Sequence, residues 1–528
     1  MAAIRTDPDL LRGLLEDAAR FPGGHAAGVV LAEGEADVAA ALRSGRTVLP
    51  IGAQSSLTGA ATPRGDLLLA TSRLSAMIEI GEHRARVQPG VPLVTLAGAL
   101  AARGRRYPPV PTYEGAFIGG TVATNAAGAA TFKYGSTRDW VQALTVVLPG
   151  GEVLDLARGE VTAHPDGFFE IETAARGVVT VPLPTYRMPA VAKCSAGYFA
   201  APGMDLIDLF IGSEGTLGVV TEITIRLLSP TPALCVMLVP LRDESLGFEL
   251  AGRLRAASLA TRRAQDPLGI DVCAIEHLDR RSIELVRDDG SARRCGVSFE
   301  DDAVLALLVQ LELPHGTTAA AAYEQIGSLR STQAPDGPLV RVCRLLDEAG
   351  VLDGAEIAVP GDESRAKQLF ALREAVPAAV NARVGLARSR VDGRIAKTAA
   401  DMVVPFECFS EMMDIYREGF ARRGLDYAIY GHISDGNVHP NVIPRSYEDV
   451  EAGTAAILEF GREVARLGGC PLAEHGVGRS ATKQALLQQF RGEQGLAEMC
   501  AVKTALDPQW TLSPGVLLNP PGGQGGRP

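Results

Sequence analysis

At 528 residues the chain exceeds a single ordinary core, so two or three domains are expected. With 51 Lys and Arg against 62 Asp and Glu, the net charge is −11, and no stretch concentrates enough basic residues to neutralise many phosphates, which argues against a nucleic-acid partner. No run of about 18 uncharged apolar residues predicts a membrane span, and eight scattered cysteines without a CxxC pair point to free thiols in a reducing, cytoplasmic compartment.

In chain order, the first segment reads as a helix with Thr6 or Asp7 capping and Pro8 in the first turn, not as a signal peptide. From about 25 to 150, short apolar strands at 48–51, 67–70, 85–88 and 144–148 alternate with glycine-rich turns. Helical stretches intervene at 35–43 and 92–103. This is an α+β pattern of brief strands without the regular βαβ rhythm of a Rossmann sheet. A Pro-rich irregular segment spans about 155–204, and its part at 160–187 reads as a lid or an acceptor-docking insertion. Residues 206–227 return to strand-like, β-branched character.

Beyond Ser229-Pro230-Thr231-Pro232 the texture changes. Strands at 233–240 and 303–312 alternate with amphipathic helices at 320–329 and 409–422, which predicts an antiparallel sheet with helices on one face. The expected division is 1–228, 229–495, a C-terminal segment 496–519 returning to the first domain, and a Gly/Pro-rich disordered tail at 520–528.

Three segments of small residues carry chemistry. Residues 50–61 read PIGAQSSLTGAA, a strand end entering a loop where backbone N–H groups can converge on an anion. It is neither a Walker A nor a GxGxxG motif, and a structural turn fits as well as a phosphate cradle. Residues 119–128 read GGTVATNAAG, whose small side chains permit packing against a flat ring while Thr121 and Asn125 offer hydrogen bonds. Residues 209–222 form a third such stretch, LFIGSEGTLGVVTE.

Two further segments hold three of the eight histidines: GHISDGNVHP at 431–440 and EHGVG at 474–478. Asp435-Gly436 between apolar-alternating residues is a strong hairpin signal. With Ser434 and Asn437 closing a two-residue turn, Ile433 pairs with Val438 and His432 with His439. Both imidazoles then share a face with Tyr430 and Asn441, their β-carbons about 5 Å apart. Glu474 can complete a His, His, carboxylate site with an open position.

The order and spacing of these motifs resemble the FAD-linked oxidase family of the vanillyl-alcohol oxidase/para-cresol methylhydroxylase superfamily. The branch that fits is that of D-lactate, glycolate and D-2-hydroxyglutarate dehydrogenases. The resemblance runs from about 25 to 519 and rests on the 52–59 loop, PPVP at 108–111, IGG with NAAG over 118–128, Lys193 with AGY at 196–198, GSEGTLG at 212–218, and Asp507-Pro508 with Ser513-Pro-Gly515. It implies a two-part FAD-binding domain in the first region and a substrate or cap domain with an antiparallel sheet in the second.

The resemblance further implies non-covalent FAD, since the pyrophosphate loop lacks the histidine of covalent members; His25 and His83 are the other histidines of this region. Gly52, Gln54, Ser55, Ser56, Leu57, Thr58 and Gly59 would hold the pyrophosphate. Pro111, Gly119, Gly120, Thr121, Asn125, Gly128 and Tyr134 would lie about the ring, and Glu214, Gly218 and Val220 along the adenosine. His432, His439 and Glu474 would bind a divalent metal, Zn or Mn, with His475 as base. Arg373 would hold the substrate carboxylate, Lys397 is a further catalytic candidate, and Asn441 joins them from the hairpin face it shares with both histidines.

The implied reaction oxidises a small D-2-hydroxy acid to the 2-oxo acid and passes electrons to a quinone, a cytochrome or an electron-transfer flavoprotein. A homodimer and peripheral attachment to the inner membrane are compatible with it. Ser434, Ser513 and Val516 depart from the family pattern. Two other readings are a transferase of the alkyldihydroxyacetonephosphate synthase kind and a non-catalytic flavin subunit. Retention of both histidines, Glu474 and His475 favours the dehydrogenase.

Overall fold

The computed structural model describes residues 3–329 and 336–520, so the expected tail lies outside the described residues from 521 onward. Two compact units divide the chain: one takes residues up to 128, then Gly135–Ser229 and everything from 470, and the other takes Ala129–Tyr134 and Pro230–Gly469. The chain thus rejoins the first unit at Cys470, earlier than the sequence suggested. The helix Ala481–Leu506 explains this, because it packs on the strand Gly177–Pro182 and its buried Lys503 donates to the carbonyls of Thr216 and Leu512 at 2.7 and 2.8 Å.

In the first unit, Asp7 caps Pro8–Arg12 by accepting from Leu10 N–H at 2.9 Å. Strands Gly28–Leu31, Leu67–Ala70 and Val48–Ile51 form a small parallel sheet in that order, with Glu35–Leu42 as the crossover between the outer two. Val30, Val38, Leu42, Leu67 and Leu69 are its core. A five-stranded antiparallel sheet follows, in the order Met77–Ile80, Arg84–Val87, Val219–Arg226, Val141–Val147, Val153–Ala157.

Only the second half of the stretch read as strand at 206–227 is one. Asp205 Oδ1 accepts from Ile207 N–H at 3.2 Å and starts the helical turn Ile207–Phe210 instead. Residues 160–187 are built around a hairpin, Phe168–Thr173 with Gly177–Pro182, that buries Phe169, Ile171 and Val181.

The second unit is an antiparallel sheet in the order Glu356–Ala358, Ala233–Leu241, Leu305–Leu313, Val272–Asp279, Tyr427–His432, Asn437–Val442, Thr398–Ala399, with Met402–Val403 also on Asn437–Val442. The expectation of helices on one face needs correction. Val272–Asp279 and Leu305–Leu313 are buried at every residue, which requires cover on both faces. Leu278 packs with Ile283, Leu372 and Val376 from the helices Arg280–Asp288 and Glu363–Arg390. On the opposite face the His277 ring meets Phe248 and Phe409, centroids 6.0 and 6.3 Å away, from the helices Glu244–Ala264 and Phe409–Ala421.

Candidate active site

The histidine hairpin lies in the second unit, and its register differs from the expected one. His432 pairs with Asn437, Gly431 with Val438 and Tyr430 with His439. A two-residue type I′ turn needs positive φ at both central residues. Only Gly436 takes it, at φ 78°, while Ile433–Asp435 form a 3₁₀ turn and Gly436 N–H donates to Ile433 O at 3.1 Å. A Cβ at Gly436 would sit 2.2 Å from Val404 O, so the turn requires glycine.

The register moves by two residues, and every side chain keeps its face. His432 and His439 become diagonal neighbours, ring centroids 5.6 Å apart and planes perpendicular. Tyr430 lies 6.1 Å from His439, and Asn441 donates to His439 O at 2.7 Å. Burial pushes the Tyr430 phenol up to about 12, against the opposing pull of Arg373 and of a hydrogen bond with Asn441. Ser434, a departure from the family pattern, is buried and accepts from Ile275 N–H at 3.1 Å, which ties the turn to the neighbouring strand.

Each imidazole has a carboxylate beside its Nδ1. Glu276 Oε1 lies 2.6 Å from His432 Nδ1, and Asp401 Oδ1 lies 3.4 Å from His439 Nδ1. Asp401 also accepts from Asn437 Nδ2 at 3.1 Å. The other oxygen of Glu276 accepts from Arg373 Nε at 2.7 Å, so one buried carboxylate grips both the arginine and the histidine. Burial opposes ionisation of Glu276, but Arg373 and then His432 outweigh it and hold the carboxyl well below the usual carboxylate range.

Sequence reasoning missed Glu276 and the role of Asp401. The available signal was an acidic residue inside the apolar run VCAI-E of a buried strand, which demands a partner. Lys397 is exposed, unlike the rest of this cluster. Tyr134 belongs to this unit and donates to Glu312 at 2.5 Å, as does Lys133.

In the first unit, Glu474 and His475 stand together. Lys193 Nζ, fully buried, lies 2.8 Å from Glu474 Oε2, and His475 Nε2 lies 3.5 Å from Glu474 Oε1. Lys193 and Glu474 are 281 positions apart, so no local pattern pairs them. Glu214, expected along the adenosine, is committed to this segment: its two oxygens accept from Val477 and Gly478 N–H at 2.7 and 2.8 Å. Burial raises its pKa while those two amides pull it down. Gly478, at φ 58°, has Thr58 Oγ1 2.3 Å from where a Cβ would stand, and Arg479 N–H donates to Thr58 O at 3.0 Å. The EHGVG segment is thereby fastened to the 52–59 loop.

That loop turns at Gln54, φ 49°, and Gly59, φ 75°. Gln54 Nε2 donates to the carbonyls of Leu14 and Ala61 at 3.0 and 2.9 Å, and Ser56 and Thr58 hydroxyls are 3.0 Å apart. The amides of Gln54, Ser55, Ser56 and Leu57 find no acceptor among the described residues. Gly119, Gly120 and Thr121 lie in the helix Ile118–Thr124, which Asn125 ends at φ 48°. Thr121 Oγ1 donates to Ile118 O at 2.8 Å and Asn125 Oδ1 accepts from Arg138 N–H at 2.9 Å, so both groups also serve the fold. Gly218 and Val220 stand at the start of the strand Val219–Arg226, and Pro111 in the loop before the helix. Of the other histidines, His25 Nδ1 lies 3.1 Å from Gly23 O and His83 is exposed in a turn.

Comparison with known proteins adds to this geometry. Residues 248–517 match the family of FAD linked oxidases, C-terminal domain, and 26–157 match an FAD binding domain. The chain is 29% identical over 479 residues to a D-2-hydroxyglutarate dehydrogenase of Xanthomonas citri pv. viticola, covering 89% of this chain and 84% of that protein. It is 27% identical over 477 residues to the glycolate oxidase subunit GlcD of Bacillus subtilis, covering 89% and 83%. Among solved structures, a 4-ethylphenol oxidase from Gulosibacter chungangensis in complex with isoeugenol superposes at TM-score 0.61 over 97% of this chain and 94% of the other. At 16% identity this likeness speaks for the fold alone.

Proposed function

We propose, on the premise that the chain belongs to the FAD-linked oxidase family, that it oxidises a D-2-hydroxy acid to the 2-oxo acid. The observation that carries this reading is the buried Arg373–Glu276–His432 relay, which fixes a carboxylate-binding side chain relative to a metal-ligand type of side chain. A 2-hydroxy acid offers a carboxylate and an adjacent hydroxyl, the two groups such a pair would grip.

The residues present fit both FAD and a divalent cation. Unpartnered amides at residues 54–57 suit a pyrophosphate. Two buried imidazoles on one face suit a divalent cation; the hydrogen bond from His432 Nδ1 to Glu276 leaves that ring's Nε2 for the cation, as such partners do in metal-ligating histidines, and Asp401 lies 3.4 Å from His439 Nδ1. When bound, FAD supplies a hydride acceptor, and Zn or Mn supplies an electrophile that acidifies an alcohol.

His432, His439 and Glu474 would hold the cation. Arg373 would bind the substrate carboxylate, its planar fork matching two oxygens and orienting the C–H bond. His475 would take the hydroxyl proton, a task suited to an imidazole near neutral pH. Lys193 would keep the Glu474 carboxylate in place. Asn441 would assist from the hairpin face, and the electrons would pass to a quinone, a cytochrome or an electron-transfer flavoprotein.

The test is turnover with an artificial acceptor over glycolate and both enantiomers of lactate, malate and 2-hydroxyglutarate. The proposal expects activity confined to the D series or to glycolate, and its loss in His475→Asn. Activity with the L series alone would overturn it.

A further inference from the structure

Cys194 and Cys470 come from segments on either side of the inserted second unit, yet within the first unit their sulfurs lie 3.5 Å apart. That gap exceeds a disulfide bond by only about 1.5 Å. The two thiols have unlike surroundings. Cys470 is buried, and its single S–H proton has two acceptors in reach, Leu472 O at 3.2 Å and the Cys194 sulfur at 3.5 Å. Cys194 is half-buried, and Arg491 Nη2 approaches its Sγ to 3.9 Å. Arg491 is itself fixed, donating through Nε to Ala196 O at 2.8 Å and through Nη1 to Arg187 O at 3.1 Å.

This asymmetry divides the roles. The hydrogen bond with Cys470 draws the Cys194 thiol down, with burial opposing and Arg491 assisting, whereas burial pushes Cys470 up. Cys194 is therefore the attacking sulfur and Cys470 the resolving one.

The pair also adjoins the candidate site. Cys194 follows Lys193, the partner of Glu474. Between the sulfurs and that ion pair, Ser195 N–H donates to Leu472 O at 2.8 Å and Ser195 Oγ to Ala473 O at 2.9 Å. Segments 193–195 and 470–474 are thus laced side by side, and drawing the sulfurs together pulls on the lacing.

We propose that Cys194 and Cys470 are a peroxide-oxidisable dithiol whose disulfide displaces the Lys193–Glu474 pair. The Cys194 thiolate attacks one oxygen of hydrogen peroxide, breaking the O–O bond to give a sulfenic acid and hydroxide, which takes up the thiol's proton as water. Cys470 loses its proton, attacks the sulfenic sulfur and expels a second water as the S–S bond forms. Two thiols lose two electrons and one peroxide becomes two waters; a dithiol reductant reverses the change. The bond stands independently of the proposed function, while its effect on turnover rests on the role given there to Glu474.

The FAD-loaded full chain is treated with hydrogen peroxide, alkylated and digested without reductant. The expected result is a peptide pair joining Cys194 to Cys470 that dithiothreitol abolishes. Turnover should fall about tenfold or more in step with the bond, as an ångström-scale displacement at a site does, and should return on reduction. Cys194→Ser and Cys470→Ser should each lack this reversible loss. Oxidation of Cys408 or Cys500 with Cys194 and Cys470 still alkylatable would overturn the site. A complete disulfide with unchanged turnover would overturn its coupling to Glu474.

Discussion

Replacing Glu276 by glutamine keeps the side chain's shape and removes its charge. In the native protein that charge sits 2.6 Å from His432 Nδ1 and 2.7 Å from Arg373 Nε, and the three side chains are 3%, 2% and 11% exposed respectively. Solvent cannot compensate at such burial, and breaking a buried pair by removing one partner costs about 3–5 kcal/mol. The amide oxygen still accepts from one neighbour, which places Glu276→Gln near the lower end, at about 3 kcal/mol. For a folding unit of this size, 1 kcal/mol moves the melting midpoint by about 2–4 °C, so a fall of about 6–12 °C is expected. A glutamine facing His432 with its NH₂ would also favour the wrong imidazole tautomer. Loss of such a partner weakens metal binding by about 10–100-fold. Thermal melting of the metal-free protein and a competitive metal titration read the two effects separately. A midpoint within about 2 °C of the native one, with unchanged metal affinity, would refute the reasoning.

Burial pushes the His277 imidazole down to about 3, the Arg417 charge adding to it. Its folded pKa lies below its unfolded value of about 6.5, so its contribution is fully present above that value and declines as pH falls toward 3. Roughly 2 kcal/mol should be gone by about pH 5. Denaturant midpoints compared at about pH 7.5 and about pH 5 should converge less in native protein than in His277→Phe. Gly436→Ala must place a methyl 2.2 Å from Val404 O at φ 78°, and a loss above about 2 kcal/mol in urea unfolding is expected. Removing divalent metal by chelation should abolish turnover while the flavin stays bound, checked by metal analysis beside the visible spectrum; full activity in metal-free protein would contradict the assignment.

Much of the fold was legible because it is local. Strands at 48–51 and 67–70 and the Asp7 cap follow from composition and capping chemistry, and appear as Val48–Ile51, Leu67–Ala70 and Pro8–Arg12. The cover on both faces of the second sheet was not legible, since a doubly buried strand has no alternation to read. At the hairpin, sequence identified the turn glycine but not that Asp435 would stay out of the positive-φ region. The conclusion that both histidines share a face survived because the register slipped by an even number of residues. Glu276, Asp401 and the Lys193–Glu474 pair escaped notice for one physical reason. Each meets its partner through tertiary packing, across 36 to 281 positions of chain.

Anaerobic mixing of the FAD- and metal-loaded protein with a D-2-hydroxy acid tests the central claim most directly. The flavin absorbance should bleach in one turnover and yield an equimolar 2-oxo acid, with Arg373→Ala slowing the bleaching at every substrate concentration that native protein accepts. Flavin that stays oxidised with glycolate and with every D-2-hydroxy acid in the panel would contradict it.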